Sequence, residues 1–217
     1  GHFLAVYRFD RVHVSGTTVR FHFEDFAQVM SILPEDKYKE SYLDIAYTLM
    51  DLPGCGQGAV LELLRRIEVN ALLGNADMHL KNIGLLYKDP RQAELAPAYD
   101  ITSTILYNHA RGHALKLMPT PSKPLANKVD ILTPHSTQVF CENLGINPKS
   151  GQQVVRETVV LAAESWLDLI LRSDITRKQK HQIIGHFLGT SHAQGLFKQK
   201  KYTALGQAWE AAEVATA

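Results

Sequence analysis

The sequence predicts an α+β fold in which helix predominates. Three observations carry that prediction. Short runs of aromatic and β-branched residues bracketed by turn signals lie before residue 100, the later segments repeat apolar residues at intervals of three and four, and no cysteine framework substitutes for a packed core. The chain has 217 residues, 45% hydrophobic and 21% charged, which excludes a disordered tail or a fibre. At that length folding buries roughly 70% of the unfolded surface, so the core needs no staple. Lys and Arg total 23 against 22 for Asp and Glu, a net charge of +1 that offers nucleic acid no overall basic field. Cys55 and Cys141 are too few for a disulfide set or a zinc knuckle, which predicts buried thiols and a reducing cytoplasm. The most apolar run, 158–170, is interrupted by Glu164 and Asp168, well short of the ~20 apolar residues that span a bilayer, so a soluble protein is expected. The first residues, from Gly1 to Phe9, read as the middle of a strand with no starting Met or signal pattern, and a longer parent is expected.

In order along the chain, Phe3 to Phe9 and Val19 to Phe23 alternate like strands around the turn residues Ser15-Gly16, predicting a hairpin. Phe26, Val29 and Met30 then share a helical face that Pro34 stops, and Tyr42, Ile45, Ala46 and Leu49 repeat the spacing. Beyond Gly54-Cys55-Gly56-Gln57-Gly58, the residues Val60, Leu61, Leu64, Ile67, Ala71 and Leu72 describe a longer helix ended by Gly74-Asn75. Ile83 to Tyr87 and Gln92 to Ala96 flank Lys88-Asp89-Pro90, a second hairpin. Pro119, Pro121 and Pro124 mark an irregular crossing. Thr133-Pro134 and Asn147-Pro148 each read as an N-cap with proline in the first helical position, and the remainder is helical, with long helices around Val154 to Ile170 and Ile183 to Leu188. No internal repeat or low-complexity tract is present.

Polar chemistry concentrates between a helix and a strand, in Asn75-Ala76-Asp77-Met78-His79-Leu80-Lys81-Asn82-Ile83-Gly84. An Asp and an Asn five apart, followed by Asp100 after a strand pair, is the arrangement that phosphoryl transfer from ATP requires. Asp77 would accept or orient the proton of an attacking hydroxyl, and Asn82 and Asp100 supply hard oxygen ligands for Mg2+. The competing structural explanation is that each merely caps a turn, with Asp100 capping 101–106. Lys81, four residues past the base, either neutralises the transferred phosphoryl group or lies on the surface.

This stretch, with Ala98-Tyr99-Asp100-Ile101-Thr102-Ser103-Thr104, resembles the HipA family of bacterial toxin kinases. Tyr7-Arg8-Phe9-Asp10-Arg11 is similar to that family's hinge strand, Glu24-Asp25-Phe26-Ala27-Gln28 to its following motif, and Lys37-Tyr38 to an expected Lys-Tyr pair. The resemblance covers about residues 3 to 120. It implies a protein-kinase-like C-terminal lobe over 1–217, divided into a hinge strand and hairpin (3–23), a catalytic core (24–120) and a helical remainder (121–217). It also implies a serine/threonine kinase of a toxin-antitoxin system with a DNA-binding antitoxin partner and a protein target in translation. On that resemblance Asp77 and His79 are catalytic-loop residues, Asn82 and Asp100 hold magnesium, and Tyr7, Phe9 and His79 meet the ATP; Lys81 is a catalytic candidate on its own position. Tyr7 replaces the family's usual Glu, which a backbone contact tolerates. The family's N-terminal lobe, with its phosphate-covering loop, regulatory serine and phosphate lysine, has no counterpart in these 217 residues.

Other features are read as structural. The glycines of 54–58 join two helices, whereas a kinase phosphate loop joins two strands. Lys116 follows the metal aspartate instead of preceding the hinge and is read as a strand lysine with its head in water. The basic runs 177–181 and 198–201 lack interleaved aromatics and are read as solvated, so no direct nucleic-acid binding is expected. His79 and His113 lack the spacing of zinc ligands on a helix. Aminoglycoside and choline kinases share the Asp77, His79, Asn82, Asp100 pattern and stand as the alternative enzyme class, and a non-catalytic binding module as the alternative outside enzymes.

Overall fold

The computed structural model describes residues 5–107, 112–119 and 131–217. Strands β1 (Arg11–Val14) and β2 (Thr17–Arg20) form an antiparallel hairpin whose turn residues, Ser15 and Gly16, have φ of 48° and 78°. A two-residue turn of that kind fixes the register beside it, pairing Val14 with Thr17 and Val12 with Val19. The predicted turn is therefore correct and the predicted first strand is not: residues 5–9 are outside any strand, because their distance from the turn denies them a partner. Phe3 and Leu4 lie outside the described residues, as do Pro121 and Pro124.

Val19 to Phe23 is divided at Phe21. Beyond the division β3 (His22–Asp25) leaves the hairpin and pairs antiparallel with β4 (Gly84–Asp89), which pairs with β5 (Gln92–Leu95), giving a three-stranded sheet of order β3-β4-β5. Gly84 permits this pairing, since a Cβ there would stand 2.5 Å from the Phe23 ring and 2.9 Å from the Glu24 carbonyl oxygen. Asp25 ends β3 and caps the four-residue helix α1 (Phe26–Val29) through a reciprocal box with Gln28. α1 ends before Pro34, which instead opens a 3₁₀ turn, Pro34–Asp36.

Helix α2 (Tyr42–Asp51) starts on a Ser41/Asp44 capping box, and α3 (Gln57–Leu73) ends at Gly74 in the left-handed conformation. The linker between them backs onto β5: Pro53 accepts a backbone bond from Ala93, and a Cβ on Gly54 would meet the Ala93 carbonyl at 2.6 Å. Close packing thus explains the first of those glycines. Lys116 is in neither sheet; its carbonyl receives the Tyr42 amide, it bridges Ser41, and its side chain is exposed.

The helical remainder is α4 (Pro134–Asn143), α5 (Pro148–Arg172), α6 (Arg177–Gly189), α7 (Ser191–Phe197) and α8 (Thr203–Thr216). Thr133 and Asn147 cap α4 and α5 with proline at the helix start, as the sequence predicts. Two apolar clusters result. One joins α2, most of α3, the sheet and α4 through Phe26, Tyr42, Ile45, Leu64, Leu85 and Phe140; the other joins α5, α6 and α8 through Val159, Ile184, Phe187 and Trp209. Among the described residues no helix is long and apolar enough to cross a membrane. Cys141 is buried and Cys55 half-buried, and burial pushes both thiols up from their ordinary values.

Candidate active site

The loop after α3 is pinned from below by two buried asparagines. Asn75 donates to Asn70 Oδ1 at 2.6 Å and accepts the Asp77 amide at 3.0 Å, while Asn70 donates to the Arg66 carbonyl at 2.7 Å. Buried amides must be satisfied, and this chain of bonds satisfies them by fixing the loop to the last turns of α3. From the side, the buried Tyr42 hydroxyl donates to the Met78 carbonyl at 3.0 Å. From the segment beyond β5, Thr104 Oγ1 accepts the Ala76 amide at 2.9 Å and Ser103 donates to the Leu73 carbonyl at 2.8 Å. Tyr99 donates to the Lys81 carbonyl at 2.8 Å. The hydroxyls following Asp100 therefore lash that segment to the loop carrying Asp77.

Within this cradle Asn82 Nδ2 donates to the Asp77 carbonyl at 2.8 Å, closing the five-residue loop on itself. The Asp77 carboxylate is half-exposed and its Oδ1 accepts the Tyr38 hydroxyl at 2.8 Å. His79 is buried, with Nε2 3.9 Å from Asp77 Oδ1, its ring edge-on to Tyr38, and no hydrogen-bond partner for Nδ1. Burial and the nearby Lys37 hold its pKa below the ordinary imidazole value, against the opposing fields of Asp77 and Asp100. The residues flanking Asp100 are bonded to the loop, Tyr99 at the Lys81 carbonyl and Thr104 at the Ala76 amide. Asp100 is exposed and sits at φ 53°, a left-handed conformation that Asp tolerates but that the surrounding bonds must maintain.

The remaining predicted residues are placed as follows. Lys81 Nζ is 2.9 Å from Asp25 Oδ2, so its ammonium is held by the α1 cap. Phe9 packs on Phe23 and Tyr99 with ring centroids 5.6 and 6.0 Å away, beside the residue preceding Asp100, whereas Tyr7 is fully exposed. Among the described residues no three of His, Cys, Asp and Glu gather as a transition-metal cage. An Asn and an Asp suit magnesium, which keeps waters and substrate phosphates in its shell. The Tyr38 contact and the role of Asn70 leave no mark in the sequence, whereas the hydroxyl run Thr102-Ser103-Thr104 is an available signal for the cradle.

The HipA-like C-terminal domain family matches residues 1–166. Two similar proteins come from Sinorhizobium fredii. "Putative kinase Y4dM" is 40% identical over 107 residues, 49% of this chain and 25% of its own length; "Putative kinase Y4mE" is 29% identical over 177 residues, 78% of this chain and 39% of its own. The chain therefore spans between a quarter and two fifths of these relatives. A solved structure of Shewanella oneidensis HipA, in a complex with HipB and operator DNA, matches with a TM-score of 0.63 at 17% identity, covering 96% of this chain and 46% of that one. That likeness concerns the fold.

Proposed function

The chain belongs to the HipA-like C-terminal domain family, and from that premise we propose that it is the catalytic part of a kinase that transfers the γ-phosphoryl group of ATP to a serine or threonine of a protein. The observation that carries this reading is the loop itself: Asp77 half-exposed, Asn82 tied to its backbone, and the segment bearing Asp100 bonded to that loop through Tyr99 and Thr104. Asp77 accepts or orients the proton of the attacking hydroxyl. Asn82 and Asp100 would hold magnesium, which would supply positive charge against the developing charge of the phosphates. His79, kept neutral, lines the nucleotide side, and backbone groups around Tyr7 and Phe9 meet the adenine. Lys81 serves first to fix the loop to α1; a direct role at the phosphoryl group would require its pair with Asp25 to open. An antitoxin partner is part of the proposal, supported by HipB in the matched HipA complex. Without the phosphate grip of an N-terminal lobe, these 217 residues alone should bind Mg-ATP weakly, because positioning supplies most of this catalysis.

The test is radiolabel transfer from ATP into lysate proteins by the full-length gene product, its Asp77→Asn and its Asp100→Asn variants, over a range of magnesium. Asp77→Asn should keep the fold and lower transfer about 10²-fold or more. Asp100→Asn should be partly rescued by excess magnesium and Asp77→Asn should not. Label appearing only on aminoglycosides or choline would move the protein to the small-molecule kinases, and no label under any condition would leave a binding module.

A further inference from the structure

The Lys37-Tyr38 pair is the motif that the roles above leave unused, and the fold places it against the base. Tyr38 follows the 3₁₀ turn Pro34–Asp36, and that turn is fastened by the Lys39–Asp36 ion pair at 2.6 Å. The Lys37 carbonyl accepts the Leu80 amide at 3.3 Å, so the two segments are bonded through their backbones as well. The Tyr38 ring stands edge-on to His79 with centroids 5.1 Å apart and carries the Lys37 ammonium 5.0 Å from its own centroid. Its hydroxyl donates 2.8 Å to Asp77 Oδ1 across 39 residues of sequence. Resting on the phosphotransfer reading, we propose that Tyr38 is a positioning residue for Asp77, holding Oδ1 so that Oδ2 is presented to the incoming hydroxyl.

The physical need is plain. A half-exposed aspartate turns about two side-chain bonds, and proton transfer requires the accepting oxygen within hydrogen-bond reach of the substrate. A hydrogen bond to a carboxylate is short and about twice as strong as a neutral one, enough to select one orientation. The braced ring prevents the donor itself from wandering. Tyr38 remains a donor throughout: burial, with Asp77 beside it, pushes the phenol up to about 12, so it neither ionises nor acts as a base at neutral pH. The same bond leaves Asp77 Oδ1 engaged, and among the described residues Oδ2 accepts no hydrogen bond.

The experiment is a double-mutant cycle on label transfer by the full-length protein, with wild type, Tyr38→Phe, Asp77→Asn and the double variant. Tyr38→Phe removes one hydroxyl and should lower kcat about tenfold with KM for ATP unchanged. In the Asp77→Asn background the same substitution should cost less than about twofold, since the oriented oxygen is gone. Thermal unfolding is measured alongside. An unchanged kcat in Tyr38→Phe, or an equal loss in both backgrounds, would overturn the assignment and reduce Tyr38 to a packing residue. If Asp77→Asn matches an active wild type, the phosphotransfer reading fails first, and the two failures are told apart by which single variant retains activity. A wild type that transfers no label removes both.

Discussion

The two apolar clusters are built by different means. Around α2, α3 and the three-stranded sheet, polar side chains from distant parts of the sequence converge on one loop: Tyr38 on Asp77, Asp25 on Lys81, Tyr42 on Met78, Tyr99 on Lys81 and Thr104 on Ala76. Around α5, α6 and α8 most polar side chains bond within their own helix or cap it, as Thr158, Thr176 and Thr216 do. The tertiary joints there are mainly apolar, led by Phe187 stacked on Trp209 with centroids 4.1 Å apart. The polar joints include Trp209 on the Ala163 carbonyl and His181 on the Glu213 carbonyl, while His192 on Glu68 and His186 on the Ala71 carbonyl tie the helical cluster back to α3. Burial without orientation stabilises a fold; bonds of fixed direction hold atoms to a geometry. The first cluster spends part of its interior on geometry, which is what a chemical site requires.

The strongest test of that contrast is Trp209→Ala. Trp209 is fully buried and its Nε1 donates to the Ala163 carbonyl at 2.9 Å, so truncation leaves a cavity and removes that bond between α8 and α5. Stability should fall by about 3–5 kcal/mol, and Tm by about 2–4 °C for each kcal/mol lost. Transfer per folded molecule should be unchanged, measured below the new transition. A proportional loss of activity would mean that the two clusters are one mechanical unit. Next in size is Asp25→Ala, which removes both the α1 cap and the partner of Lys81. Denaturant unfolding should show a loss of about 1–2 kcal/mol. Here activity should fall further than stability explains, because the freed lysine no longer anchors the loop.

What the sequence disclosed follows the same division. Gly74, Ser15-Gly16, Thr133-Pro134 and Asn147-Pro148 are local signals, and each turn or helix end stands where they put it, because a left-handed turn or an N-cap is decided within four residues. The loop 75–84 was legible by polar density alone. The pairing of β3 with β4 was not, since it joins residues about sixty apart and leaves no local mark. For the same reason the alternation over Phe3 to Phe9 does not make a strand of residues 5–9, because alternation does not say whether a partner exists. Lys81 shows the limit for the site itself, because only the fold reveals that Asp25 holds its charge.

The smallest predicted effect concerns pH and singles out His79. Its pKa in the folded protein lies below the ordinary 6.5, chiefly from burial and then from Lys37, so the folded state binds protons less readily than the unfolded chain. Stability then rises with pH wherever the unfolded state holds more protons. His79 therefore contributes fully above the ordinary imidazole value, and its contribution is lost as pH falls from there toward the lower folded value. The other nine histidines are common to wild type and variant, so the difference between the two isolates His79. Thermal unfolding of wild type and His79→Gln between pH 5 and 8 should give curves that converge on the acid side, wild type losing more of its Tm than the variant. Parallel curves would show that the imidazole is as accessible to protons in the fold as out of it, and the directed bonding that distinguishes the first cluster would then not extend to the loop that carries Asp77.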